Sequence, residues 1–265
     1  MEENALHFNN CPALYDDARP GYPPEIYAVV AKYAHFDANS RILEIGAGNG
    51  IASREIYRAW QPKMVLLEPG EALLELLRGR FKDDNDITIV NKTFEEYECD
   101  LPFDAIISAT AFHWLDLSTK YKKSCRLLKD NGLLILYWNN YGIEAEEIAE
   151  EIQKVYRKHG LGIPDGKSAH ERQMEKIESR KKEIEESGFF TVIEHRIIKS
   201  ILEYPTEKYI RLLKTFPDHS KMGAGFFEEI AEIIKSNGDN IGVRVLVNLE
   251  IAGKNGEIVF PENSL

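Results

Sequence analysis

Between Arg41 and Gly50 the chain reads Arg-Ile-Leu-Glu-Ile-Gly-Ala-Gly-Asn-Gly, and no other stretch constrains the fold as much. Ile42, Leu43 and Ile45 form a short apolar run of the kind buried on both faces of a sheet. Gly46, Gly48 and Gly50 follow at alternate positions, and Ile51 to Tyr57 reads as a helix. Strand, glycine turn and helix open a nucleotide-binding βαβ unit. Glycine is needed where the backbone turns sharply against a ligand, because a Cβ there would clash. A dinucleotide fingerprint counted from Gly46 would demand Gly or Ala at position 51. This chain has Ile51 there, Gly50 one place early, and a carboxylate, Glu44, at the end of the strand.

The same alternation continues downstream. Residues 63–68 are a second apolar strand ending in Glu68, and Glu71 to Phe81 is helical with a leucine face. Glu68 follows Glu44 by 24 residues, in line with the acid about 20 residues on that accepts hydrogen bonds from ribose hydroxyls in this architecture. Ile87 to Val90 is a third strand, followed by the loop Asn91 to Glu96. Phe103 to Ser108 is a fourth strand running into Ala109-Thr110-Ala111-Phe112-His113-Trp114, then a helix at 119–128 and a fifth strand at 133–137. Strand and helix alternate throughout 41–137, which predicts a doubly wound parallel sheet. Farther on, helices are expected at 144–158, 169–187, 206–215 and 226–235, with strands at 189–200 and 241–252.

Glu44-x-Gly46-x-Gly48-x-Gly50, Glu68, the loop at 91–95, Phe112-His113-Trp114 and Gly132 before the fifth strand together resemble the class I S-adenosylmethionine (SAM) dependent methyltransferases. The leader Tyr15…Arg19-Pro20-Gly21-Tyr22-Pro23 and the run Ala111 to Trp114 are similar to the trans-aconitate methyltransferase group, whose members act on small molecules. The resemblance implies a seven-stranded, mostly parallel sheet with the last strand antiparallel and a helical cap. It divides one continuous domain into a leader or lid (1–40), a SAM-binding core (41–138) and a remainder (139–265) with cap helices at 139–187 and 201–238.

It also implies roles. Glu44 would face the cofactor's ammonium, Gly46, Gly48 and Gly50 would cradle it, and Glu68 would take the ribose diol. Substitution of Glu68 is expected to weaken SAM binding while leaving the stability of the cofactor-free protein nearly unchanged. Thr93 and Phe94 would approach the adenine. Ser108 and Ala109 are small enough for close approach, and Trp114 or Tyr15 could face the sulfonium. Tyr15, Arg19 and Tyr22 either help enclose the cofactor or belong to a leader that packs on the core. His113 titrates near neutrality, so it is the candidate base or a positioning group.

Methyl transfer from a sulfonium is an in-line displacement that asks mainly for alignment and exclusion of water, so no covalent catalyst is required. An acidic protein that holds an anionic acceptor must concentrate its few cations locally. Arg19, Arg211, His219, Lys214 and Lys221, with Tyr22 beside them, are the available set. The expected acceptor is a small molecule, with a carboxylate as the nucleophile under test. Two readings compete: a nicotinamide-dependent oxidoreductase, against which Ile51 and Glu44 speak, and a silent binding module, against which the intact loop speaks.

The formal net charge of −11 and the absence of a basic stripe argue against a nucleic-acid substrate. Cys11, Cys99 and Cys125 are scattered without metal-ligand spacing, so no metal is expected and a reducing cytoplasm is the natural compartment. No apolar run approaches a membrane span. The sequence carries no signature of a particular oligomeric state.

Overall fold

A computed structural model describes residues 17–161 and 169–256. Its centre is a seven-stranded sheet: β1 (Arg41–Ile45), β2 (Lys63–Leu67), β3 (Ile87–Val90), β4 (Phe103–Ala109), β5 (Leu128–Ile143), β6 (Phe190–Pro205) and β7 (Asn240–Lys254). They stand in the order β3-β2-β1-β4-β5-β7-β6. β7 runs antiparallel to both of its neighbours, and the other pairs are parallel. This is the expected doubly wound sheet with its last strand reversed. The order changes direction between β1 and β4, and ligands of such sheets sit outside the strand ends at that point.

Each strand sends alternate side chains to opposite faces. Ile42, Met64, Leu66, Ala105, Ile107, Ile135 and Tyr137 build one core. It is covered by α1 (Glu25–Val30), α2 (Ile51–Trp60), α5 (Glu146–Lys158), α7 (Thr206–Lys214) and α8 (Ala224–Ser236), with Leu77 from α3 (Glu71–Arg80). Leu43, Ile45, Leu67, Ile106, Leu134 and Leu136 build the other. Phe94 and Tyr97, with α4 (Lys120–Leu127) and α6 (Ala169–Glu186), close that side.

Two boundaries differ from expectation. The fifth strand does not stop at Tyr137: Trp138 to Ile143 continue it, paired with Val243 to Asn248 of β7. β6 likewise runs to Pro205, paired back to Asn240. Residues 139–143 and 201–205, assigned to the cap from sequence, are therefore sheet. They form a three-stranded extension that stands above the ends of the shorter strands. The second correction concerns α6, which lies on the sheet face away from the other late helices, with Ile184 in the second core. The cap proper is α5, α7 and α8, joined by Tyr156 and His159 against Phe226 and by His159 and Lys158 on Glu229.

Candidate functional site

The loop between β1 and α2 is shaped by left-handed backbone. Gly46 has φ +69°, and a Cβ there would lie 2.4 Å from the Ala111 Cβ, so the closeness of the β4 exit demands glycine. Gly48, at φ +58°, has nothing within 4 Å of its imaginary Cβ, so the loop is open where a ligand would lie. Gly50 faces Leu77 and Phe81 instead, and serves the packing of α3 against the loop.

Above this loop is a cleft, partly open to solvent. Glu44, the loop residues Gly46 to Asn49, and Ile51 and Ala52 of α2 form its floor. Ala109 and Thr110 leave β4 along one side, and Asn139 and Tyr141 of the β5 extension form the back wall. Arg19, Pro20 and Tyr22 of the leader close the front.

Glu44 is fully buried, and neither carboxylate oxygen has a hydrogen-bond partner among the described residues. Burial pushes its pKa up to about 8, and the charge of Glu68 adds to the effect. The nearby Ser53 hydroxyl opposes the shift without completing a hydrogen bond. Glu68 is engaged differently: its carboxylate accepts the Gly48 N–H at 2.8 Å and the Gly70 N–H at 2.8 Å. Burial raises its pKa while those two bonds lower it. It braces the loop from beneath and does not reach the cleft wall, although a carboxylate with two donors keeps capacity for more.

Thr110 was not singled out from sequence, yet it has φ +59°, uncommon for a residue with a Cβ. Its hydroxyl meets the Tyr22 hydroxyl at 3.0 Å and accepts the Asn139 N–H at 3.3 Å, which ties leader, β4 exit and β5 extension together. Arg19 donates to the Thr215 hydroxyl at 2.8 Å and to the Thr215 carbonyl at 3.1 Å. Its guanidinium lies over the Phe216 ring, 4.5 Å from the centroid, with Tyr141 at 5.5 Å. The cation is thus fixed on the cleft wall by the segment that follows α7.

Of the candidates from sequence, Gly46, Gly48, Glu44, Ala109, Arg19 and Tyr22 line this one cleft. Several other candidates do not. Phe94 is 2% exposed in the second core, beneath the Lys123 ammonium, and is no stacking surface for a base. Thr93 is tied up locally: its N–H and hydroxyl both go to the Glu96 carboxylate, and the Glu96 N–H returns to its hydroxyl, a capping box. Ser108 is buried and donates to the Ile45 carbonyl at 2.9 Å, which joins β4 to β1. Trp114 lies against His113, 4.5 Å between ring centroids, and off the cleft wall.

His113 is also corrected as a base. Although one side is open to solvent, desolvation of the ring, then Arg180, Lys176 and Lys120, hold its pKa far below the ordinary histidine range. Its Nδ1 accepts the Trp138 Nε1–H at 3.1 Å, so the neutral ring carries its proton on the other nitrogen. Arg211 pairs with Asp17 at 2.8 Å away from the cleft. His219 is buried, lowered in pKa by desolvation and stacked on Phe226, with Nδ1 donating to the Leu213 carbonyl. It is a packing residue of the cap rather than a cation for a substrate. Tyr15 lies outside the described residues.

Residues missed from sequence are Thr110, Asn139, Tyr141, Asn49 and Ile51. Asn139 and Tyr141 alternate outward from Trp138 and Asn140, a strand signal that was there to be read past Tyr137. Among the described residues no group of three or more His, Cys, Asp or Glu side chains is arranged for a metal, and no helix is long and apolar enough to cross a membrane.

Residues 42–132 match the sequence model of a family described as "Methyltransferase domain". A Dictyostelium discoideum protein named as a methyltransferase is 29% identical over 155 residues, 57% of this chain and 55% of its own length. A Saccharomyces cerevisiae protein named as an S-adenosylmethionine-dependent methyltransferase is 25% identical over 153 residues, 56% of this chain and 51% of its own length. The chain thus spans about half the length of the curated relatives it matches. Among solved structures, a type II methyltransferase so titled from Anaeromyxobacter dehalogenans superposes with TM-score 0.61 at 19% identity, covering 89% of this chain and 97% of that one. A Bacillus halodurans protein titled a methyltransferase gives 0.56 at 15% identity, covering 89% and 100%. These likenesses establish the fold. Residues 42–132 match a methyltransferase domain, and the cofactor that the sequence resemblance implies is SAM. The residues present fit it: an orphaned buried acid for an ammonium, a fixed guanidinium for a carboxylate, and an open glycine loop between them.

Proposed function

We propose that this chain as a whole transfers a methyl group from SAM to a small-molecule acceptor, with a carboxylate as the acceptor's nucleophile. The observation that carries the reading is the unpartnered carboxylate of Glu44 on the floor of a cleft whose glycine loop has room for a ligand. When bound, SAM supplies an electrophilic methyl on a good, neutral leaving group. What the chain must add is alignment and the exclusion of water, worth ~7–11 kcal/mol in favourable cases.

The residues suit that task. Glu44 on the floor, once ionised, and the Arg19 guanidinium at the front would hold the two ends of an amino-acid moiety. Ala109 and Thr110 leave the centre of the cleft lined by small groups, so two reactants can approach closely. Tyr22 and Arg19, tied to Thr110 and Thr215, narrow the front of the cleft and would limit the access of water to a bound pair of reactants. No histidine lines the described cleft, which favours a nucleophile that is already ionised at neutral pH. A carboxylate meets that condition. The resemblance to the trans-aconitate group and a cytoplasmic, small-molecule role belong to the same proposal.

The test is S-adenosylhomocysteine release with a panel of di- and tricarboxylates, phenols and amines. Turnover of a carboxylate is expected, and Arg19→Ala should reduce it by at least tenfold. Turnover confined to neutral phenols or amines would overturn the acceptor class and leave the methyl transfer standing.

A further inference from the structure

Five polar atoms buried beneath the cleft have no hydrogen-bond partner among the described residues. They are both carboxylate oxygens of Glu44 and the hydroxyls of Tyr27, Tyr137 and Ser53. Four elements supply them: β1, α1, β5 and α2. Glu44 and Ser53 are 0% exposed, Tyr137 1% and Tyr27 9%. Tyr27 and Tyr137 belong to the same core on the same sheet face. Along the register Glu44 stands beside Ile107, Ile107 beside Ile135, and Tyr137 one place farther on that face. The two phenol hydroxyls neighbour each other, and both lie close enough to Glu44 to feel its charge.

Native interiors leave few such atoms unpaired, and each one asks for an explanation. Here the deficits complement each other. The phenols are donors lacking an acceptor, and an ionised Glu44 is an acceptor lacking donors. Burial raises the pKa of both phenols well above the ordinary tyrosine range, so they keep their protons wherever the protein is handled. The other charged or titratable groups are Glu68 from β2, which disfavours ionisation of Glu44, Glu55 of α2 beside Tyr27, and Arg19 and Tyr22 on the cleft wall. Tyr22 also sets its ring edge against Tyr137, 4.7 Å between centroids.

We propose that Tyr27 and Tyr137 are positioning residues whose hydroxyls donate to the Glu44 carboxylate once it is ionised, presenting its charge to the ammonium of the cofactor. The inference rests on the cofactor reading above. It gives α1 of the leader a part in cofactor binding although none of its residues lines the cleft. Donors to a carboxylate favour its charged form. Losing one therefore makes Glu44 harder to ionise.

Calorimetric titration of the full chain with S-adenosylhomocysteine, from pH 6.5 to 8.5 and in two buffers of different ionisation enthalpy, tests it. The parent should bind more tightly as pH rises toward about 8 and release a proton on binding at pH 7. Tyr27→Phe and Tyr137→Phe keep the ring and its packing. Each should weaken binding about tenfold at pH 6.5, the effect of one pK unit, but only about threefold at pH 8.5. Thermal midpoints measured in parallel identify a variant that fails to fold, in which case the other carries the test. Parental affinity at every pH would overturn the proposal. So would an equal loss at every pH, which is what a packing role alone produces. A parent that binds no S-adenosylhomocysteine at any pH would overturn the cofactor reading itself, and this inference with it.

Discussion

Glu44 shows how one residue can link stability to ligand binding. Its pKa is about 8 folded, against 4.5 for the free side chain, because burial disfavours the charge. The sign follows from proton counting: between those values the folded state binds more protons than the unfolded one, so stability falls as pH rises. The contribution is fully present below about pH 4.5 and lost through pH 8. The thermal midpoint of the cofactor-free protein should therefore drop between pH 5 and 8, and Glu44→Gln should reduce that slope, Glu68 and Glu250, also raised by burial, supplying the rest. His219, buried neutral with a lowered pKa, works the other way as pH falls below the histidine range, in parent and variant alike. The same substitution should weaken SAM binding at least tenfold at pH 8, since a charged partner for the ammonium is gone. Glu44 was legible because an acid ending a buried strand before a glycine turn has few structural uses. Phe94 and His219 were not legible, because an aromatic or imidazole reads the same in a core as in a site. Only the surrounding packing tells them apart.

At the scale of elements, the glycine loop is held from below by Glu68, which accepts from Gly48 and Gly70. Removing that acceptor strands two N–H groups, at ~1–3 kcal/mol for each if it stays buried and unmet. Glu68→Ala should thus lower the thermal midpoint by a few degrees as well as weaken SAM binding about tenfold. That revises the expectation that stability would be unaffected, and calorimetry with parallel melting curves measures both. The alternation of strand and helix over 41–137 was plain because parallel strands buried on both faces appear as unbroken apolar runs. The β5 extension was hidden for the converse reason. Trp138 to Ile143 pairs with β7 but faces a cleft on one side, so asparagines break the run. The strand end inferred from hydrophobicity was the place where the sheet leaves the core, and with it went the back wall of the cleft.

In the whole molecule, leader and cap meet across the cleft. Arg19 reaches Thr215 and Phe216, Asp17 pairs with Arg211, and the Tyr204 hydroxyl donates to the Ala18 carbonyl. Such contacts join segments nearly 200 residues apart, which is why the leader's partners could not be read from local pattern. The doubly wound sheet was readable from the alternation of strand and helix over 41–137, its seven strands with the last reversed came from the resemblance, and the cleft at the switch between β1 and β4 is seen in the structure. The central claim is that this cleft takes SAM and not a dinucleotide. Titration of the full chain at pH 8 with S-adenosylhomocysteine and, separately, with NAD⁺ tests it directly. S-adenosylhomocysteine keeps every hydrogen-bonding group of SAM, so it should bind one molecule per chain at least as tightly as SAM, while NAD⁺ produces no binding heat. Saturable binding of NAD⁺ with no response to S-adenosylhomocysteine would contradict the account.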